Sequence, residues 1–453
     1  MKETWNKIFD YKKNGNSIKL STYKELDKVE NKNKKCFTYY RCVSTILWLI
    51  ILSLIAVVIL KKQNPLIDIV YVDNSDIISD KVVSCYYNTP ANDDASQLLP
   101  SNINPHLCTH INIAFAQVKN KQIYLTDLQI KTIADVLQIK NKNPSLKVLL
   151  SVGGAGNNEG FSDMVVNHIA RKEFIKSIKY TLRNYTLDGI DLDWEFPALH
   201  QYSRDAGKRE RQHFSQLLRE IRMEYIREKR NYMLTVALAA PQIIVDVAYD
   251  VDQINLYVDY ANIMTYDFHY YTQYTPFTGL NSPLYARNSE YFYMGTLNIN
   301  YTIQMYLSKG LNESKIVVGI PTYGHSFTLV NEDNADIGSP ASGYGHVGSS
   351  GFVSYPEVCN FLKVNSNVSI VEEKNARVSY LHKQSEWISF DSPQSVTSKA
   401  EYIKKLKLRG AMIYALNSDD YKGLCGNILF SNVITETSSL IRYIKKFTFF
   451  RDT

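Results

Sequence analysis

An excess of positive charge is missing from most of this chain, although the whole sequence carries a formal net charge of +6. Residues 1–62 hold 13 basic and 5 acidic side chains, whereas residues 63–453 hold 38 basic and 40 acidic ones. Binding to nucleic acid requires a basic surface that neutralises phosphates. The large second part therefore gives no indication of nucleic-acid binding. The basic tail either lies against anionic lipid or serves only as a signal for membrane topology.

Charged residues are absent altogether from residues 43–60, VSTILWLIILSLIAVVIL. A run of about 18 apolar residues is just long enough for a helix that crosses a bilayer. A buried core helix would show a polar stripe, which this run lacks. A cleaved signal peptide would not follow 42 residues of tail or end without a small-residue cleavage site. The pattern predicts an uncleaved signal anchor.

The flanks of this run predict its orientation. Residues 1–42 contain eleven lysines and arginines, and two lysines follow the run directly, so the positive-inside rule places the N-terminus in the cytosol. We expect a single-pass type II membrane protein with a cytosolic tail (1–42), a transmembrane anchor (43–60), a stalk (61–81) and an extracellular or lumenal domain. Four N-glycosylation sequons are consistent with this topology, because all of them follow the anchor: Asn184, Asn300, Asn312 and Asn367.

Cysteines are few, and they divide at the same point. Of the six, Cys36 and Cys42 fall on the cytosolic side, where they are either palmitoylated or free thiols. The other four fall on the lumenal side: Cys85, Cys108, Cys359 and Cys425. An even number of cysteines in an oxidising compartment suggests two disulfide bonds.

Eight apolar runs of strand length follow the stalk, with helix-like segments between them. The predicted strands are Val82–Tyr87, Thr109–Ala116, Lys147–Val152, Leu187–Glu195, Tyr232–Ala240, Tyr260–Asp267, Lys315–Pro321 and Gly410–Leu416. The predicted helices include Ile130–Ile139, Arg171–Tyr180, Arg211–Glu228, Thr302–Ser308 and Lys399–Lys407. Eight alternating units predict an α/β fold, a closed (β/α)8 TIM barrel. The long gap before the last strand predicts a small inserted α+β subdomain at about 325–400, between strand 7 and helix 7.

The fourth predicted strand carries four carboxylates within residues 188–195. Alternation places Asp191, Asp193 and Glu195 on one face and Ile190, Leu192 and Trp194 on the other. Buried acids that lie close together raise at least one pKa, which leaves a protonated carboxyl near neutral pH as a general acid. A metal site or a solvated acidic edge is the alternative. Calcium loops, however, are Gly- and Asn-rich turns without this apolar alternation.

Other polar groups fall at the ends of predicted strands. In a barrel of this kind the active site collects at the carboxyl ends of the strands. Glu195 ends the fourth strand, Gly153 and Gly154 follow the third, and Tyr266 and Asp267 end the sixth. Several strand ends therefore converge on one mouth, which favours a functional site over ordinary turns.

These motifs together resemble glycoside hydrolase family 18, the chitinases and chitinase-like lectins, from about residue 82 to 445. The matching segments are Asp188-x-x-Asp191-x-Asp193-x-Glu195 for D-x-x-D-x-D-x-E, Ser151-x-Gly153–Gly154 for S-x-G-G, Met264-x-Tyr266–Asp267 for M-x-Y-D, and also Cys85–Tyr87, Leu107–His110, Ala114–Ala116, Gly319–Gly324 and Gly410–Met412. Residues 446–453 then form a short tail, with no Cys-rich chitin-binding module.

The resemblance implies a substrate-assisted mechanism in which the sugar's own N-acetyl group replaces a protein nucleophile. Glu195 would protonate the glycosidic oxygen and later deprotonate water. Asp193 would orient the acetamido N–H, Asp191 would share a proton with it, and Tyr266 would donate to the acetamido oxygen. Asp188 has the opposite parity and is expected to be structural.

The resemblance also implies sugar contacts, disulfide pairs and partners. The implied sugar-binding residues are Tyr86, Phe115, Gly153, Gly154, Met264, Asp267, Met412 and Tyr414. The implied disulfide bonds are Cys85–Cys108 and Cys359–Cys425. The implied partner is chitin or a chito-oligosaccharide, and neither a cofactor nor a metal ion is expected.

Tryptophan marks the clearest departure from the family pattern. The chain has four, at positions 5, 48, 194 and 387, and none falls where the family places its cleft platforms. The family's floor tryptophan, in a G-A-M-x-W strand, is here Tyr414. Tyrosine keeps a stacking face of smaller area. Together with Tyr414, we expect Tyr270, Tyr271 and Tyr274 to replace part of the platform.

The sequence therefore predicts hydrolysis of β-1,4-linked N-acetylglucosamine glycans, with Glu195 as general acid and base. The altered platforms favour an alternative, a membrane-anchored lectin that binds such glycans without turnover. A third possibility is an inherited fold with only a structural role. The oligomeric state is left open.

Overall fold

The computed structural model describes residues 81–90, 97–199, 204–426 and 439–449, with backbone alone at 204–208 and 447–449. The predicted tail and anchor lie outside the described residues, and so does the stalk except for Lys81. No helix within the described ranges has the length and hydropathy that a bilayer crossing requires.

Fifteen strands and ten α-helices make up the described part of the chain. In chain order the strands are β1 (Val82–Asn88), β2 (His110–Lys119), β3 (Gln122–Tyr124), β4 (Lys147–Gly153), β5 (Gly189–Asp193), β6 (Met233–Ala239), β7 (Tyr260–Met264), β8 (Ile316–Pro321), β9 (Tyr323–Leu329), β10 (Ala341–Tyr344), β11 (Phe352–Ser354), β12 (Ser369–Glu373), β13 (Val378–Lys383), β14 (Glu386–Phe390) and β15 (Gly410–Tyr414). The helices are α1 (Asp127–Leu137), α2 (Phe161–Val165), α3 (His168–Asn184), α4 (Arg204–Arg227), α5 (Gln242–Ala248), α6 (Val251–Tyr257), α7 (Ile299–Ser308), α8 (Tyr355–Val364), α9 (Pro393–Lys405) and α10 (Leu440–Phe449).

Eight parallel strands close into a barrel, as predicted. Their order is β1, β15, β8, β7, β6, β5, β4 and β2, and β2 pairs back to β1. The strands are buried almost throughout because helices cover the barrel wall, which explains their near-continuous apolar runs. All five predicted helices overlap observed ones.

Four predicted strands are too long at their carboxyl ends. Strand β6 ends at Ala239 instead of Ala240, and β15 ends at Tyr414 instead of Leu416. The ladder of β5 ends at Asp193 instead of Glu195, and that of β7 ends at Met264 instead of Asp267. After β5 and β7 the chain leaves the pairing with its neighbours and enters the loops at the barrel mouth. The prediction was wrong here since alternation of side chains continues past the last ladder hydrogen bond.

A second sheet occupies the long gap between β8 and α9. Its six strands are antiparallel, in the order β10, β9, β14, β13 and β12, with β11 also paired to β9. Trp387, Tyr380 and Phe327 form a small core of their own within it. Helix α8, however, contributes Tyr355 and Val358 to the core of the barrel. That this segment is an independent subdomain stays a prediction.

Helix starts follow ordinary capping chemistry. Thr126 precedes α1 and accepts a hydrogen bond from the Gln129 backbone N–H, while the Gln129 side chain accepts one from the Thr126 N–H. This reciprocal pair satisfies two N–H groups that a helix leaves open. Ser392 is the N-cap residue of α9, and Pro393 follows it at the first helical position. The missing N–H of proline costs nothing there, because that N–H would have no acceptor within the helix.

Both implied disulfide bonds are present. Cys85 of β1 bonds Cys108, just before β2. Cys359 of α8 bonds Cys425, beyond β15, and so ties the insertion to the end of the barrel. Helix α10 runs through Phe449, past residue 445, where the barrel was predicted to end.

Candidate active site

Asp191 is the middle residue of β5 and is fully buried. Its carboxylate accepts hydrogen bonds from four side chains on four other strands: Tyr86 (2.7 Å), Ser151 (2.7 Å), Thr235 (2.6 Å) and Asn262 (3.3 Å). Burial raises the pKa of Asp191, and these donors oppose that shift by stabilising the carboxylate. The barrel thus holds this acid in one fixed position.

Asp193 points to the same face of β5 and is only 3% exposed. Burial raises its pKa well above the usual range, with further contributions from the charges of Glu195 and Asp191. Its Oδ1 atom is buried and has no hydrogen-bond partner within the described part of the chain. A buried acceptor of this kind is costly unless a ligand supplies the donor. Asp193 is therefore suited to receive an N–H from a bound molecule.

Glu195 lies two residues past the end of β5 and is half-buried at the mouth. Burial raises the pKa of its carboxyl to about 7, and the charge of Asp267 adds to the shift. A carboxylic acid with this pKa is protonated in a useful fraction at neutral pH and can give and recover a proton. The backbone of Glu195 is held by Asn158, which the sequence did not single out.

The two glycines after β4 are required by close contacts. A Cβ atom on Gly153 would overlap the carbonyl oxygen of Asp193, and one on Gly154 would overlap the Phe115 ring. Both residues also have positive φ. The Gly154 N–H donates to the Asp193 carbonyl (2.8 Å), which extends the pairing of β4 and β5 by one bond. Glycine here lets two strand ends approach each other.

The end of β7 brings Tyr266 and Asp267 to the mouth. Asp267 has a positive φ of 57°, and its N–H donates to the side chain of Asn281 (2.9 Å). Its Oδ1 accepts a hydrogen bond from the Tyr323 hydroxyl (2.7 Å) and lies 2.7 Å from His325 Nε2. Tyr323 and His325 were not among the predicted site residues. Their signal was available, since Tyr323 lies within the matched Gly319–Gly324 segment and His325 follows it directly.

Aromatic rings and methionines line the floor beside the acids. Tyr414 lies 5.7 Å from Tyr86, 5.8 Å from Tyr266 and 6.4 Å from Phe115, measured between ring centroids. Met412 is buried below, with its sulfur 3.8 Å from the Tyr266 hydroxyl. Met264 packs against the same cluster. The structure therefore brings together every residue that the resemblance assigned to sugar contact.

The two tryptophans in the described residues are both unavailable to a ligand. Trp194 is buried outside the barrel wall, stacked on Phe161 at 5.1 Å. Trp387 is buried in the second sheet and donates its indole N–H to the Ala335 carbonyl (3.0 Å). Of the tyrosines expected to compensate, Tyr274 is 84% exposed and Tyr270 is 46% exposed. The solvent-exposed aromatic rings in the loop after Asp267 are thus tyrosines.

Asp188 lies apart from this site. It precedes β5 at the opposite end of the barrel, where it accepts hydrogen bonds from Lys140 (2.7 Å) and from the Val148 N–H (2.8 Å). Its role there is to join strand starts. Within the described residues no cluster of His, Cys, Asp and Glu side chains is arranged to hold a metal ion.

Comparisons with known proteins agree with this geometry. Residues 82–419 match the family model of glycosyl hydrolases family 18. Chitotriosidase-1 of Mus musculus is 35% identical over 341 residues, which cover 73% of this chain and 71% of that protein. The Group IV chitinase of Ostrinia furnacalis, solved in complex with allosamidin, superposes with a TM-score of 0.74 at 32% identity over 81% of this chain and 98% of that one. Human YKL-39, a pseudo-chitinase with retained chitooligosaccharide binding, superposes with a TM-score of 0.73 at 30% identity over 81% and 99%. This chain belongs to glycosyl hydrolase family 18.

Proposed function

We propose that this protein hydrolyses β-1,4-linked N-acetylglucosamine glycans, chitin or chito-oligosaccharides, with retention of configuration. One observation carries the proposal: Glu195, at the barrel mouth, has a carboxyl pKa raised to about 7 and stands at the end of a row of buried acids. A lectin has no need for a proton donor poised near neutral pH. The enzyme relatives named above are consistent with this activity.

The proposed reaction uses the substrate's acetamido group as nucleophile. Glu195 protonates the glycosidic oxygen as the bond to the anomeric carbon breaks, and the N-acetyl oxygen closes on that carbon to form an oxazolinium ion. Asp193, whose Oδ1 has no partner among the described residues, accepts the acetamido N–H. Tyr266 donates to the acetamido oxygen. Glu195 then removes a proton from the incoming water, and the ring opens with net retention.

A lectin function is the second candidate, and the aromatic floor favours it. Tyr414 offers less stacking area than an indole, and both described tryptophans are buried elsewhere. Human YKL-39, a pseudo-chitinase with retained chitooligosaccharide binding, supports this alternative. In that case the acids would orient a bound sugar without cleaving it.

Turnover of defined oligomers separates these functions. We would incubate the purified full-length protein with tri- to hexameric N-acetylglucosamine and follow products by chromatography, with Glu195→Gln in parallel. Hydrolysis by the wild type and its loss in Glu195→Gln supports the enzyme. Binding of the oligomers by both proteins, with hydrolysis by neither, supports the lectin and overturns the enzyme.

We further propose that the barrel is held on the lumenal or extracellular side of a membrane by residues 43–60. The basic flank and the placement of the sequons support this topology. Asn184, Asn312 and Asn367 are exposed and accessible to glycosylation. Asn300 is half-buried, and its side-chain oxygen accepts a hydrogen bond from Tyr402 (3.1 Å). We therefore expect glycans on the first three and little or none on Asn300.

Glycosidase treatment of the membrane-bound protein tests this topology. A loss of mass that disappears when Asn184, Asn312 and Asn367 are all changed to Gln supports it. An unglycosylated protein whose C-terminal tag is accessible from the cytosol would reject the type II arrangement.

A further inference from the structure

Glu195 differs from the two acids behind it because it lies beyond the strand ladder. Pairing of β5 with β4 ends at Asp193, and pairing of β5 with β6 ends at Leu192. Neither neighbouring strand therefore fixes the backbone of Glu195. The direction of its side chain depends on whatever else holds the N–H and the carbonyl of this residue.

The side chain of Asn158 supplies that hold. The Glu195 N–H donates to Asn158 Oδ1 (3.0 Å), and Asn158 Nδ2 donates to the Glu195 carbonyl (2.5 Å). One amide thus satisfies both backbone groups of a single residue, as a neighbouring strand would. Asparagine has the donor and the acceptor side by side that this pairing needs.

The loop that carries Asn158 is itself fixed. The Asn157 N–H donates to the Gly154 carbonyl (2.9 Å), and the Asn157 side chain accepts a hydrogen bond from Gln117 on β2 (3.2 Å). Two residues after Asn158, Gly160 has a positive φ, and a Cβ atom there would overlap the Val118 carbonyl. We call the two hydrogen bonds between Asn158 and the Glu195 backbone the clamp. The loop that carries the clamp is therefore anchored to the barrel strand β2.

A related arrangement, in which the amide joins two different residues, occurs at another strand end at the mouth. Asn281 accepts a hydrogen bond from the Asp267 N–H (2.9 Å) and donates to the Tyr323 carbonyl (3.0 Å), just past the end of β7. Asparagine side chains thus bind the backbone just past the ends of β5 and β7. Asn158 is the one that acts on the proposed proton donor directly.

We propose that Asn158 is a positioning residue that aims the Glu195 carboxyl at the glycosidic oxygen. It touches no substrate atom and acts only through the backbone of Glu195. The inference rests on the proposed hydrolase function. Because a displacement of about 1 Å at a reacting group can lower a rate by about 100-fold, loss of the clamp should reduce kcat by about 10- to 100-fold and leave substrate binding nearly unchanged.

The test compares three full-length variants with the wild type. Asn158→Ala removes both hydrogen bonds. Asn158→Asp keeps an acceptor for the Glu195 N–H, loses the donor to the carbonyl, and adds a negative charge that should move the basic limb of the pH–rate profile to higher pH. Asn143→Ala is the matched control, since Asn143 also donates to a backbone carbonyl, that of Pro105 (2.8 Å), before β4 and away from the mouth.

The readouts are kcat, KM, the pH–rate profile, and amide hydrogen exchange of the peptide that contains Glu195. We expect Asn158→Ala to lose kcat with KM nearly constant and to exchange faster at Glu195, while Asn143→Ala matches the wild type in both. Thermal unfolding shows whether the two alanine variants remain equally folded. An active wild type with an Asn158→Ala variant of equal kcat overturns the inference alone. A wild type without turnover overturns the proposed function, and the inference with it.

Discussion

The row of acids and the aromatic floor share the barrel mouth, yet they are held in different ways. Asp191 is tied by hydrogen bonds to side chains of β1, β4, β6 and β7, so the whole barrel defines its position. Tyr414 has ring contacts between 5.7 and 6.4 Å with its neighbours, and these do not depend on donor and acceptor geometry.

This difference indicates which part of the site can change. Replacing one member of a buried polar network leaves other groups unsatisfied, whereas exchanging one ring for another keeps most of the contact area. The acid row should therefore resist substitution, and the floor should tolerate it.

Glu195→Gln should have the largest effect. Glutamine keeps the size of the side chain but has no proton to donate, so hydrolysis of chito-oligosaccharides should fall by about 10²- to 10⁴-fold. Isothermal titration calorimetry should show oligomer binding close to that of the wild type. Hydrolysis at an undiminished rate would show that the acid row is not the proton donor.

Asp191→Ala should destabilise the fold. The change leaves Tyr86, Ser151 and Thr235 without their acceptor inside the barrel, and we expect the free energy of unfolding to fall by about 2–4 kcal/mol. Denaturant unfolding measures this loss. Asp267→Ala, at an exposed carboxylate, is the control and should change stability far less. Equal midpoints for the two variants would mean that the buried acid contributes no more to stability than the exposed one.

The pH dependence of turnover should follow Glu195. Its carboxyl pKa is raised to about 7, and the donor must be protonated to act. The protonated fraction falls as pH rises, so kcat/KM should decline about tenfold per pH unit above about pH 7. Asp267→Asn removes a charge that raises this pKa, and the limb should then move to lower pH. A limb that stays in place would mean that Asp267 does not act on Glu195.

Tyr414→Trp should have the smallest effect, and it should strengthen oligomer binding, whereas the changes to the acids impair activity or stability. An indole offers more stacking area, and we expect the free energy of binding to the hexamer to become more favourable by about 0.5–1.5 kcal/mol. Tyr124→Trp, on the exposed face of β3, is the control and should leave affinity unchanged. Weaker binding by Tyr414→Trp would show that the floor is as tightly specified as the acids.

Much of the barrel could be predicted from the sequence because strand patterns are local. The run from Leu187 to Glu195 alternates apolar and acidic residues, and this pattern alone placed Asp191 and Asp193 on one face. The end of the ladder at Asp193 could not be predicted in the same way, since alternation does not show where hydrogen bonding to β4 and β6 stops.

The supporting residues of the site were not predictable from local patterns. Asn158 reaches Glu195 across 37 positions, and His325 reaches Asp267 across 58. Asn158 stands out by neither composition nor spacing, and His325 is marked only by its place directly after the matched Gly319–Gly324 segment. The burial of Trp387 was equally unpredictable from its local sequence. Only the packing of the second sheet decides that its ring is buried and cannot stack on a sugar.

The sequence by itself determined the acid row, the barrel class and the scarcity of tryptophan. These depend on which residues are present and on the two-residue repeat of a strand. Only the tertiary structure decided that side chains of four other strands bind Asp191, that Asn158 holds Glu195, and which aromatic rings surround Tyr414. Those contacts join residues far apart in the chain, and closure of the barrel is the physical event that brings their atoms within bonding distance.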